Sequence, residues 1–535
     1  MKFLFYFPSI YAFVLYSNLY FKGLILKHSI WHHADFIENI IFSSILLLII
    51  NLFENKRIKK VLSLFFLFII NILTLTEISI TVLYKSFFTP PVLFILMDSN
   101  QNEAYEYLQS NISSVVIILS SIVILLIPII INTKYPIDNF LKKHIHPVFL
   151  KKTLTVFTII ILTLSIKYSL LKYNLPYQIV TSYLSYKKNI QKNKVFETPY
   201  GNFNNITRNY KTDKNREIHI IIIGESTTRH HMGIYDYIRN TNPLLFQRND
   251  IISFDNVISP HAYTLKSLEK ILTLSNYEHP ENKHKGTIIQ LANKVGFKTY
   301  WLSNQGITRK NDMQTSIIAR AAHTSKFINF SISNKYEHYD EELLPILKNI
   351  LNKKEAKQFI FIHLIGSHTQ YINRYPSTFT IYNTSDSLSR KARIINSYDN
   401  SIVYNDFIVN QIINLTENED AESFIVYFSD HGEDVYESEN RLLSHSENIG
   451  TKPMFDIPFI IWFSQKYINK NHNRLKIDIH RPYMLDDLIF SIGDLLNLKF
   501  SLYDERRSIF SNNFINRKRI ILNNIDYDIK YQQPK

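Results

Sequence analysis

The spacing of apolar residues divides the chain in two. In the first third they form long unbroken runs; beyond about Arg216 they come in short blocks separated by polar clusters. A membrane-spanning helix needs about 20 predominantly apolar residues. Five runs approach that length, at roughly residues 3–21, 36–53, 61–84, 113–132 and 154–171, and predict five transmembrane helices. A cleaved leader would account for the first run only, and Phe and Tyr rather than small residues crowd its C-terminal end. With four more runs behind it, the segment reads as an anchor.

Lysine and arginine in the short loops set the orientation. Lys56, Arg57, Lys59 and Lys60 lie in the second loop, and Lys134, Lys142, Lys143, Lys151 and Lys152 in the fourth; both are expected in the cytoplasm. The third loop carries Asp98, Glu103 and Glu106 and is expected outside. The N-terminus is then cytoplasmic and everything after residue 171 is exported. Glu77 falls inside the third run, where a carboxylate is costly unless it serves a function, reaches the interface or pairs within the bundle.

After a polar connector at 172–214, expected to be partly helical along the membrane surface, the pattern becomes that of a globular domain over 215–535. Residues 218–223, 299–302, 359–365, 424–428 and 457–463 are continuous apolar blocks, and helical patterns lie between several of them. Blocks of that kind predict an α/β domain with a mainly parallel sheet covered on both faces. In such sheets, ligands bind beyond the carboxyl ends of the strands.

Composition adds three constraints. The mean hydropathy of -0.09 averages over two solvents. The net charge of +14 sits largely in clusters between apolar runs, which suits an anionic membrane surface, and no nucleic-acid motif accompanies it. There is no cysteine, so neither disulfides nor thiolate metal sites can form, and an exported domain must hold by its core.

Polar clusters follow the apolar blocks. Gly224-Glu225-Ser226 ends the first, Gly366-Ser367-His368 the block at 359–365, and Asp430-His431-Gly432-Glu433 the block at 424–428; His445 lies nearby. Together they offer oxygen and nitrogen ligands for one or two divalent ions. A hydroxyl nucleophile is expected close by. An apolar strand over 254–258 leads through Ser259-Pro260-His261-Ala262-Tyr263-Thr264 into a helical pattern, where Ser259, Thr264 and Ser267 are all candidates. Thr264 at a helix start also fits a plain N-cap.

The segment Gly224-Glu225-Ser226-Thr227-Thr228-Arg229, with Gly233-Ile234-Tyr235-Asp236-Tyr237, Arg239 and Thr241-Asn242-Pro243 behind it, resembles the bacterial phosphoethanolamine transferases of the alkaline phosphatase and sulfatase superfamily. Trp301-Leu302-Ser303-Asn304-Gln305, Gly366-Ser367-His368 and Ser429-Asp430-His431-Gly432-Glu433 follow in that family's order. The resemblance implies an alkaline phosphatase-like catalytic domain in the periplasm, on an anchor in the bacterial inner membrane. It implies that Glu225, Thr264, Asp430 and His431 ligate one zinc ion, with a second ion in question. Thr264 would be the nucleophile, His368 and His445 would bind the transferred phosphate or a second zinc and act in acid–base steps, and Asn304 would bind substrate. Asn100 and Glu103 would meet the donor headgroup. The implied donor is phosphatidylethanolamine, which leaves diacylglycerol behind; the implied acceptor is lipopolysaccharide or a related glycan, and a monomer is expected.

The absence of cysteine is similar to the branch acting on the lipopolysaccharide core, not to the disulfide-bearing lipid A branch. It also rules out a formylglycine made from cysteine. A glycerol-phosphate transferase of the lipoteichoic acid synthase type and an inactive membrane scaffold are the competing readings.

Overall fold

The computed structural model describes residues 175–193, 198–208, 215–305, 314–328, 338–438, 443–447, 449–471 and 473–531, with scattered positions between 38 and 79 and at 122 and 156. The five apolar runs lie wholly or largely outside these residues, as do Glu77, Asn100 and Glu103. Among the described residues no helix is long and apolar enough to cross a membrane. The chain forms two compact units, Met1–Met97 with Asn111–Asn189, and Asp98–Ser110 with Ile190–Lys535. Helix α1 (Leu175–Asn193) occupies much of the connector.

The larger unit is built on a seven-stranded sheet. Its strands are β1 (Glu217–Gly224), β2 (Ile251–Ser253), β3 (Lys298–Ser303), β4 (Thr324–Phe327), β5 (Lys357–His363), β6 (Glu422–Ser429) and β7 (Phe459–Phe463). Their order across the sheet is β2-β7-β6-β1-β5-β3-β4. The run β6-β1-β5-β3-β4 is parallel throughout, whereas β7 is antiparallel to both β6 and β2. The sheet is therefore mixed. A both-faces-buried block such as 457–463 looks the same in either direction. The loop from β6 returns to the end of the sheet it left, which needs no crossover helix and makes β7 antiparallel.

β1 shows why the apolar blocks are continuous. Ile218, Ile220 and Ile222 face one core, Ile221 and Ile223 the other, and all five are fully buried. Each contributes about 2 kcal/mol by leaving water. One face is covered by α2 (Thr264–Ile271), α3 (Ile288–Lys294) and α6 (Leu488–Leu495), the other by α4 (Leu343–Leu351) and α5 (Arg390–Glu417).

The strand expected over 254–258 is divided. Phe254 N–H still reaches the Phe459 carbonyl at 2.9 Å, but Asp255 and Asn256 break the apolar run. Val257–Ile258 then leaves the main sheet and pairs, in parallel, with Tyr483–Met484. This step carries the chain to the start of α2.

Candidate active site

Register places the predicted clusters side by side. Gly224 pairs with Ser429, so Glu225 and Asp430 leave neighbouring strands together. Ile223 pairs with His363 and Ser303 with His363, which sets the Gly366-Ser367-His368 turn and Asn304-Gln305 on the other flank. All lie at the carboxyl ends of parallel strands, as expected.

Glu225, Asp430 and His431 are buried, and one ligand atom from each lies within 4.8 Å of the others. Thr264, first residue of α2, directs Oγ1 to 3.1 and 3.2 Å from the Glu225 carboxylate oxygens and 3.4 Å from His431 Nε2. The helix N-terminus adds a partial positive charge, which favours a hydroxyl that becomes anionic or carries a phosphate. Ser259 and Ser267, the other hydroxyl candidates, are fully buried and spent on each other at 2.9 Å and on the carbonyls of His261 and Asp430. They brace the loop in front of Thr264.

Three features fit this donor set to a divalent cation. Asp430 Oδ1 accepts the Ser226 and His431 N–H groups at 3.2 and 2.7 Å, while its buried Oδ2 meets no hydrogen-bonding group among the described residues. His431 Nδ1 donates to the Gly432 carbonyl at 2.8 Å, which turns Nε2 toward Glu225 Oε1 at 3.1 Å; protonated, Nε2 donates to that oxygen, and without its proton it is free to ligate a cation. Burial and the charge of Glu225 push Asp430 up to about 8. Against its own burial, the Asp430 charge and the Glu225 hydrogen bond hold His431 up at about 10. Such a cluster calls for positive charge at its centre.

His445 is brought in by a short hairpin, Asp434–Val435 against Leu443–Ser444. Its Nδ1 bonds Glu433 at 2.7 Å, its ring centre stands 4.1 Å from that of His431, and Tyr371 donates to the other Glu433 oxygen at 2.6 Å. His431, Glu433 and His445 form a second group with ligand geometry. Burial pushes the His368 imidazole down to about 3, so it stands neutral, and its Nδ1 meets no hydrogen-bonding group among the described residues. Asn304 takes a bracing place: Nδ2 donates at 2.9 Å to Asp340, which also receives the N–H groups of Ile365 and Gly366.

The turns are tightly made. Ser226 has φ 54, left-handed backbone for a non-glycine residue beside the metal-ligand candidate Glu225. Gly366 also has a positive φ of 54, and a Cβ there would stand 2.8 Å from Glu225 N.

Sequence reasoning missed the residues that hold the long motif in place. Asp456, buried, takes Arg229 at 3.1 Å and His230 at 2.7 Å, and also binds Lys452 and Tyr527. Asp399 takes His231 at 2.5 Å and Arg239 at 2.6 Å. Much of the motif is thus scaffolding around one candidate ligand, Glu225. Nothing local in the sequence marks Asp399 or Asp456, while Glu433 sat in a cluster already singled out.

Comparison with known proteins places the fold. Residues 218–498 match the family model described as Sulfatase. Phosphoethanolamine transferase EptC of Escherichia coli (strain K12) is 29% identical over 541 residues, covering 92% of this chain and 90% of that protein. The C-terminal periplasmic domain of EptC from Escherichia coli, solved in complex with Zn, superposes with a TM-score of 0.57 at 29% identity, over 61% of this chain and 94% of that one. The integral membrane protein lipooligosaccharide phosphoethanolamine transferase A from Neisseria meningitidis shares the fold over 94% of this chain and 98% of its own, with a TM-score of 0.66 and 21% identity. The chain belongs to the sulfatase family, in the branch formed by the phosphoethanolamine transferases.

Proposed function

We propose that this enzyme moves phosphoethanolamine from phosphatidylethanolamine to lipopolysaccharide, at its core or lipid A, or to a related glycan, with Thr264 carrying the group between donor and acceptor. The observation that carries the reading is the placement of Thr264 Oγ1, at a helix N-terminus and within 3.4 Å of both Glu225 and His431. Glu225, Asp430, His431 and Thr264 would hold zinc. Bound there, zinc polarises a phosphoryl oxygen and lowers the pKa of the hydroxyl.

Thr264 Oγ1 attacks the donor phosphorus. The new Oγ1–P bond forms as the bond to the diacylglycerol oxygen breaks, and the proton that Thr264 gives up is made good on that oxygen. An acceptor hydroxyl then attacks the same phosphorus, the Oγ1–P bond breaks, and the proton lost by the acceptor restores the Thr264 hydroxyl. His445, oriented through Nδ1 by Glu433, presents Nε2 for these proton transfers. Neutral His368 can accept a hydrogen bond or a proton at the same phosphate. The two-step route regenerates the enzyme with no net change in protons.

The donor is a membrane lipid, and every acceptor named lies in the envelope. This suits an anchor at 1–171, a connector at 172–214 and a catalytic domain at 215–535 on the periplasmic side of the inner membrane. Asn100 and Glu103, in the outward loop, would bind the donor's ammonium headgroup. We take the working unit to be a monomer.

The test is mass spectrometry of lipid A, core oligosaccharide and periplasmic glucans from a Gram-negative host that expresses the chain or its Thr264→Ala variant. One added phosphoethanolamine unit with the intact chain, gone with the variant, is the expected result. No addition to any fraction from folded, zinc-loaded protein would overturn it.

A further inference from the structure

His445 and Thr264 come from segments far apart in sequence, yet phosphoryl transfer requires them at a fixed separation. One contact spans the gap. His261, three residues before Thr264, sets Nδ1 2.5 Å from Oε1 of Glu447, two residues after His445. The His261 side chain is 1% exposed, and its Nε2 is buried and meets no hydrogen-bonding group among the described residues. Among the described residues, Glu447 is therefore the only polar anchor of that ring. The other Glu447 oxygen lies 3.8 Å from Lys266 Nζ, on the first turn of α2. Glu447 thus grips the nucleophile's segment from both sides of Thr264.

The chemistry of the pair supports a rigid link. Burial holds His261 below its ordinary pKa, so the ring is neutral and Nδ1–H is the donor. Glu447 Oε1 accepts from that Nδ1–H, and its other oxygen faces Lys266. A charged acceptor makes this a strong, directional bond. Neither residue belongs to either group with ligand geometry. At its other end the His445 loop is fixed by the Glu433 bond.

We propose that Glu447 and His261 are a positioning pair, which fixes the distance between the Thr264 hydroxyl and the His445 imidazole and so governs the transfer step without governing metal or donor binding. This rests on the proposed function. Misplacement by about 1 Å at a reacting centre costs on the order of a hundredfold in rate.

The test uses the full-length zinc-loaded protein in detergent. Diacylglycerol release from phosphatidylethanolamine gives kcat and KM, metal analysis gives zinc content, and thermal unfolding reports integrity. Glu447→Ala is expected to lower kcat at least about tenfold, with KM, zinc content and Tm close to those of the unchanged protein. Glu447→Gln, which still accepts from Nδ1–H, recovers most of that loss. The double variant Glu447→Ala/His261→Ala is no slower than the slower single variant, because both remove one contact. Unchanged kcat in Glu447→Ala, zinc lost in step with activity, or additive losses in the double variant would each overturn the pairing. If the unchanged protein releases no diacylglycerol, the donor reading fails by itself. The pairing is then decided by zinc-loaded crystal structures of the protein and Glu447→Ala: a shifted His445 ring supports it, and an unmoved one overturns it.

Discussion

At the scale of single residues, His231 shows how a motif histidine serves the fold. Its two nitrogens lie 2.5 Å from Asp399 and 3.0 Å from Glu437. Burial alone would lower its pKa, but hydrogen bonds to the two carboxylates raise it from 6.5 to about 9. A raised folded-state pKa stabilises fully below the unfolded value and is lost as pH rises through the folded one. Stability is therefore expected to fall between about pH 6.5 and 9, by an amount on the order of 2 kcal/mol. In His231→Gln that part of the Tm-against-pH curve should flatten; identical slopes in the two proteins would refute the assignment. Glu225, His368, Asp430, His431 and His445 could be picked out from the sequence because each lies in or near a polar cluster after an apolar block. Asp399 gives no such signal: it lies inside a long helix and becomes a hub only when α5 packs against the loop beyond β1.

At the scale of elements, the site depends on how closely two loops approach. A Cβ at Gly432 would stand 2.0 Å from the Pro453 carbonyl oxygen, while Gly432 N–H bonds the Met454 carbonyl at 2.9 Å. The loop beyond β6 is thereby laid against the turn at Lys452–Met454. Gly432→Ala must push that turn or the Asp430-His431 pair aside. We expect a loss of about 1–3 kcal/mol, with zinc content reduced alongside it, measured by thermal unfolding and metal analysis. Full zinc occupancy at unchanged Tm would show that the loops yield freely. Five of the seven strands were legible because continuous buried blocks have few alternatives; the short, partly exposed edge strands β2 and β4 carry no such block and were missed. The direction of β7 and the division of 254–258 were not legible either, because pairing partners decide them.

For the whole molecule, a cation held, as proposed, by Glu225, Asp430, His431 and Thr264 would tie together the ends of β1 and β6 and the start of α2. Binding to the folded state alone stabilises by about 4 kcal/mol when free metal is a thousandfold above Kd. Chelation is expected to lower Tm, zinc to restore it, and Glu225→Ala to respond to neither; an equal response in the variant would place the metal elsewhere. The sequence by itself determined the alternation of buried blocks and polar clusters, the α/β class, the order of the clusters and the absence of thiols, because burial and chain connectivity are written locally. Only the tertiary structure decided which hydroxyl meets the carboxylates. Ser259, Thr264 and Ser267 lie within nine positions, and helix geometry turns one toward Glu225 while burying the other two in the loop's own hydrogen bonds. It likewise decided that Glu447 meets His261 across 186 positions, since a contact between distant segments arises from packing and leaves no periodic trace along the chain.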